Sequence, residues 1–166
     1  MAAYNFSQIV PNSSYPPRYL SGEQYSIDFE YTLGGALAQN DTITTPSSAL
    51  PNNGIRIVET ELMYPELDTN ATPTGTFNVG DGTSATRFVS GVPMGVAGVT
   101  TSGFQLRQGI NIAQGLTNGV VTSGSGYLYA SGTNPQLVVT VGSAVATGAS
   151  SGVIRLRVTF YCTGEQ

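Results

Sequence analysis

Val153-Ile154-Arg155-Leu156-Arg157-Val158-Thr159-Phe160-Tyr161-Cys162 alternates apolar and polar side chains without a break. Strand side chains point to opposite faces with a period of two residues. Ile154, Leu156, Val158, Phe160 and Cys162 therefore share one face, and Arg155, Arg157, Thr159 and Tyr161 the other. One such strand can satisfy neither its own hydrogen bonds nor its own apolar face, so earlier segments must pair with it and pack against it.

Working outward, Tyr25 to Leu33 (YSIDFEYTL) alternates equally well and ends at Gly34-Gly35. Ile55 to Tyr64 (IRIVETELMY) reads as a third strand whose phase shifts between Ile57 and Val58. A β-bulge produces such a shift, as would two short strands or a helical turn. Shorter strand patterns occur near Ile43, over Thr76 to Val79, at Phe88-Val89, over Tyr127 to Tyr129 and over Gln136 to Gly142. Gly80-Asp81-Gly82 gives a hairpin-type turn signal, with calcium binding as the weaker reading of Asp81. Between residues 90 and 126 glycine recurs at nearly every turn, predicting short strands and a long loop. Many short strands and no amphipathic helix predict an all-β sandwich or barrel.

Residues 1–22 read differently. Pro11, Pro16 and Pro17 stand among Tyr4, Phe6, Ile9, Tyr15, Tyr19 and Leu20 with no sustained period. Proline lacks a donor and keeps the chain extended, while disordered tails are poor in aromatics. The expectation is an extended N-terminal arm whose six named side chains form an interface with a neighbouring subunit, with an edge strand or frayed terminus as the alternative. Residues 23–166 would then form one β domain, a length that buries roughly 70% of the unfolded surface.

Composition excludes most chemistry. The 166 residues contain no His and no Lys; all six cations are Arg and the net charge is −4. His-based acid/base catalysis, imidazole metal ligation and Schiff-base or P-loop chemistry are thereby removed. Direct nucleic-acid binding needs clustered positive charge. The expectation is no catalytic, metal or nucleic-acid site and no cofactor. Only 10% of residues are charged, against about 25% in ordinary domains. That composition suits turn-rich β structure or a surface meant to be covered by other proteins. The acidic pairs Asp28/Glu30 and Glu59/Glu61 lie about 7 Å apart along their strands. Cross-strand pairing of Arg155 and Arg157 with Glu59 and Glu61, or with Asp28 and Glu30, is their expected use, and a carboxylate-only enzyme is the minor alternative. Cys162 lies on the apolar strand face as a small buried hydrophobe. No start resembles a secretory signal and no apolar run reaches the length of a membrane helix, so synthesis in a cytoplasm and no membrane partner are expected.

Thr60 to Gly91 (TELMYPELDTNATPTGTFNVGDGTSATRFVSG), followed by Gly152 to Tyr161 (GVIRLRVTFY), resembles the head cement or decoration proteins of tailed bacteriophages. The shared features are a strand leading to a Gly-Asp turn, an Arg-Phe pair soon after, and a closing strand with alternating Arg. The resemblance implies a jelly-roll-like antiparallel β-sandwich assembled as a homotrimer or dimer. It would bind the major capsid protein on the capsid surface of the virion and reinforce the head, with no catalytic residues. A tail or fibre component that binds a receptor or carbohydrate through exposed Tyr is the rival expectation.

Overall fold

The computed structural model describes residues 1–9, 22–98, 105–110, 115–117, 120–124 and 126–163, with backbone pairing alone for 105–110, 115–117 and 120–123. In chain order the strands are β1 (Ala3–Asn5), β2 (Ser7–Ile9), β3 (Gln24–Thr32), β4 (Thr42–Thr44), β5 (Ile55–Pro65), β6 (Thr76–Asp81), β7 (Val89–Pro93), β8 (Gln105–Ile110), β9 (Gly115–Thr117), β10 (Val120–Ser123), β11 (Leu128–Tyr129), β12 (Leu137–Ser143) and β13 (Val153–Cys162). No helix occurs among the described residues, so none is long and apolar enough to cross a membrane.

Two sheets face each other. One has the order β1-β4-β12-β6-β7; the other runs β11-β5-β13-β3-β2, with β8 also pairing β5. Setting aside β1, β2 and β8 to β10, the strands numbered 1 to 8 along the chain give sheets ordered 6-3-8-1 and 2-7-4-5. That order is the jelly roll, in which successive strands cross between sheets and bury both inner faces. A β9-β10 hairpin stands apart from these two sheets in the pairing.

β13 sits in the middle of its sheet. Leu156 lies opposite Phe29 on β3 and Leu62 on β5, and Val158 opposite Ile27 and Thr60. The apolar face read from the sequence points inward: Ile154, Leu156, Val158 and Phe160 are fully buried and Cys162 nearly so. From the other sheet come Phe77, Val79, Leu137 and Val139, equally buried. Tyr64 packs edge-on to Phe77 with ring centroids 5.1 Å apart. Each such side chain contributes about 1.5–3 kcal/mol by leaving water.

The phase shift in β5 is a bulge within one strand. Thr159 pairs with Glu59 but Phe160 pairs with Ile57, so Val58 is the added residue. Ile55 and Ile57 before it, and Leu62 and Tyr64 after it, can then all face the core. The Gly80-Asp81-Gly82 signal is realised more widely than a tight hairpin. β6 continues through Asp81, and the chain returns only at Phe88, whose N–H donates to the Val79 carbonyl at 2.9 Å. The intervening loop folds back over β6 so closely that a Cβ on Gly80 would collide with the Ser84 carbonyl.

Candidate interaction surfaces

The first nine residues are divided between the sheets. β1 runs parallel to β4 with Ala3 opposite Thr42, and β2 runs antiparallel to β3 with Ser7 opposite Glu30. Between them Phe6 turns inward, only 2% exposed, its ring 6.5 Å from that of Phe29. Tyr4 is half-buried against Tyr31, with centroids 5.2 Å apart. Asp41 ties the segment down, its carboxylate accepting from the N–H of Ala2 at 2.6 Å and of Ala38 at 2.9 Å. Burial favours the neutral acid, yet these bonds and the N-terminal ammonium outweigh it and hold the Asp41 carboxyl below its ordinary range.

An arm separate from the core is therefore corrected over residues 1–9, which close the open side of the sandwich. Phe6 is removed from any outward interface, because its ring fills the gap between the sheets. Ile9 is exposed and Tyr4 partly so. Tyr15, Tyr19 and Leu20 lie outside the described residues.

The outer face of the β13 sheet carries charge in rows. Arg155 stands between Glu30 on β3 and Met63 on β5; Arg157 stands between Asp28 and Glu61; Thr159 stands between Ser26 and Glu59. Arg155 Nε donates to Glu30 Oε2 at 2.9 Å. Arg157 donates through Nε and Nη2 to both Asp28 oxygens, at 2.7 and 3.2 Å. Its Nη1 lies 3.7 Å from Glu61 Oε2, and the Glu61 side chain is 8% exposed. The hydrogen bond to Asp28, then its charge, raise the Arg157 pKa further, with Glu61 and Glu59 adding to it. Arg157 thus reaches one member of each acidic pair at once, because β13 is central. Glu59 faces Thr159 and Arg155 faces Met63, since the register that matches Leu156 to Leu62 fixes every other row. The next row places exposed Leu128, Arg56 and Tyr161 side by side across β11, β5 and β13.

The outer face of the opposite sheet is unlike it. Its rows read Ala3, Thr42, Thr140, Asn78 and Asn5, Thr44, Val138, with no charged residue among them, and Gly80, next in the second row, is covered by the loop that follows it. The two outer faces consequently offer a partner different chemistry, one ionic and one made of neutral hydroxyl, amide and methyl groups.

Carboxylates organise the loops at the sandwich ends. Asp68 is fully buried, and its oxygens accept from the N–H groups of Asn70, Thr74, Gly75, Ala146 and Thr147. Burial pushes its pKa up, but the backbone donors prevail and bring it down to about 2. Glu66, also fully buried, accepts from Val96 N–H at 2.8 Å through Oε1, while Oε2 is without a partner among the described residues. Burial, with Asp68 nearby, raises the Glu66 pKa.

Asp81 holds the other cluster. Oδ1 accepts from Thr83 and Ser84 N–H, at 2.9 and 2.8 Å, and Oδ2 from Arg87 Nε at 2.5 Å and the Tyr129 hydroxyl at 2.7 Å. The Arg87 guanidinium also lies 4.0 Å from the Tyr127 ring centroid. Burial opposes the Asp81 charge, yet Tyr129, Arg87 and the backbone donors keep its pKa low. Both oxygens are engaged within the protein, which leaves no lone-pair direction open for calcium or for base catalysis. No group of three or more metal-ligating side chains occurs among the described residues. Beside Asp81 an open cleft of ≈ 440 Å³ is lined by Thr83, Tyr127, Leu128, Tyr129, Asn134 and Gln136, among others. The roles of Asp68, Glu66, Arg87 and Tyr129 were not read from the sequence; the available signal was an Asp followed by small polar residues at 68–70 and 81–84, the mark of Asx turns.

No protein-family model matches the chain, and no curated protein does. Solved structures do match. A chain of the cyanophage Pam1 capsid asymmetric unit is 27% identical with a TM-score of 0.60, covering 91% of this chain and 93% of its own length. The fold is that of phage capsid chains. A chain of the capsid of Ralstonia phage GP4 shares the fold with a TM-score of 0.62 at 21% identity, over 99% of this chain and 100% of that one. The likeness extends over nearly the whole of each chain.

Proposed function

We propose that the chain is a non-enzymatic structural protein of a phage virion, and within it a capsid cement or decoration protein. It would bind the outer surface of the major capsid protein as a homotrimer or dimer and stabilise the head. The observation that carries the reading is the match, over nearly the full length of both chains, to a chain of the Pam1 capsid. The surface supports it: the sandwich bears one ionic and one neutral outer face, and the Asp68 and Asp81 carboxylates are occupied in holding loops. Cement action needs only interface area across capsomer seams, where binding adds its free energy to the separation of subunits. Tyr15, Tyr19 and Leu20, together with Tyr4 and Ile9, remain the proposed contact residues of the N-terminal segment.

The test is the copy number per purified particle, by quantitative mass spectrometry against the major capsid protein. A stoichiometry comparable to the capsid subunit is expected, and absence from the particle would reject the virion reading. A tail or fibre role is the second reading, favoured by the Tyr-lined cleft beside Asp81, whose amide and hydroxyl groups suit a neutral glycan. A handful of copies per particle, together with glycan binding lost in Tyr127→Ala, would select it.

A further inference from the structure

The turn entering β5 reads Pro51-Asn52-Asn53-Gly54. Neighbouring segments grip it on both sides of Asn53: Gly132 N–H donates to the Asn52 carbonyl at 2.7 Å, and Thr163 N–H to the Gly54 carbonyl at 2.9 Å. The Asn53 side chain shares in none of this. Its Oδ1 and Nδ2 are both buried and neither has a hydrogen-bond partner among the described residues. Buried amides are normally paired, and an unpaired one is held in place only by packing. Gly54 adopts φ 90° and has no Cβ to shield its backbone nitrogen, which donates to no acceptor among the described residues. An amide held by no hydrogen bond thus precedes a backbone nitrogen that itself donates to no acceptor among the described residues and carries no Cβ beside it.

We infer that Asn53-Gly54 is a site of spontaneous covalent modification, at which the Asn53 amide is converted to aspartyl and isoaspartyl. The Gly54 nitrogen attacks Cγ of Asn53 and forms an N–Cγ bond, closing a cyclic imide. The Cγ–Nδ2 bond breaks, and Nδ2 leaves as ammonia with the proton given up by the Gly54 nitrogen. Water then opens the ring. Cleavage of the N–Cγ bond gives aspartate; cleavage of the bond between the nitrogen and the Asn53 main-chain carbonyl carbon gives isoaspartate. Nothing is oxidised or reduced, and water is the one co-reactant. Aspartate sets a carboxylate where the amide was buried without partners; in isoaspartate the carboxylate is the former Asn53 main-chain carbonyl, and Cγ joins the backbone. Isoaspartate also lengthens the backbone between the two gripped carbonyls, so conversion loosens the turn from the loop at Gly132 and from the end of β13.

The test uses the full native chain aged in mildly alkaline buffer beside the same chain held denatured, with peptide mapping and isoaspartyl methyltransferase labelling. Mapping separates Asn53 from Asn118, which precedes the other Asn-Gly pair of the sequence and lies outside the described residues. The expected result is isoaspartate in the native Asn53 peptide within the time taken for half of the denatured chain to convert, and none at this position in Asn53→Gln. A native Asn53 peptide without isoaspartate over that time would overturn the inference, because the fold would then protect the pair.

Discussion

Arg157 and Asp28 face each other across the β13–β3 pair, joined by bonds from Nε to Oδ1 at 2.7 Å and from Nη2 to Oδ2 at 3.2 Å. A guanidinium that meets both oxygens of a carboxylate has a fixed orientation, and here it leaves Nη1 directed toward Glu61. One cation thereby links β3, β13 and β5 on the outer face of the sheet.

Replacing Arg157 with Ala should destabilise the protein by about 1–2 kcal/mol, between the values for exposed and buried pairs, because it removes the bidentate partner of Asp28 and one cation beside the buried Glu61. Arg155→Ala removes a pair whose Arg side chain is 55% exposed. It should change stability by less than about 1 kcal/mol. Urea denaturation of the two variants checks the order; equal losses would contradict the central place given to Arg157.

The acid limb of stability should follow Asp68. Its folded pKa, about 2, lies below the ordinary value of 3.8. The stabilisation is therefore complete above pH 3.8, declines as pH falls toward 2, and is absent below both values. Asp41 and Asp81, also lowered, act in the same direction. Asp68→Asn should lose about 2 kcal/mol at neutral pH and flatten the melting temperature profile in acid.

Glu66 has the opposite sign. Its raised pKa means a contribution present below the ordinary value of 4.5 and lost as pH rises through the folded value. Glu66→Gln keeps an acceptor for Val96 N–H and cannot ionise. It should match the parent in acid and melt at a higher temperature above the folded pKa; lower stability across the whole pH range would show that the buried carboxyl is otherwise satisfied.

Phe6→Ala should cost about 3–5 kcal/mol, the range for removing a buried aromatic ring. The extended-arm reading of residues 1–22 predicts that they are dispensable for folding, whereas the place of Phe6 between the sheets makes deletion of 1–9 destabilising. Thermal melts followed by circular dichroism distinguish these, and a parent-like melt of Phe6→Ala would restore the separate arm.

Val158→Asp should abolish folding, since Val158 is fully buried between β3 and β5 and a charge there has no partner. Solubility with a native dichroism spectrum would overturn the assignment of the inner face.

Periodicity made the long strands legible. Each of β3, β5 and β13 has one face in the core, so burial writes itself into alternating residues, and even the bulge at Val58 appears as a slip of phase. The pairing of the first nine residues left less trace, because Ala3 to Ile9 are held to both sheets by backbone hydrogen bonds that any residue can make, and Phe6 is a single apolar contact without a period. The loop-holding carboxylates were obscured for another reason. Asp68 and Asp81 gain their roles from donors far along the chain, Ala146, Thr147 and Tyr129, which no local pattern announces.

The central place of β13 bears on how the chain folds. Arg155 bonds to a residue 125 positions earlier, and Ser26 to one 133 positions later. Closing loops of that length before any reward is gained makes folding slow. Until β13 inserts, β3 and β5 each keep a bare edge with unpaired backbone groups, the form in which strands recruit strands from other molecules. The interval before insertion is thus when aggregation competes with folding, and a chain truncated before Val153 would remain in that interval permanently.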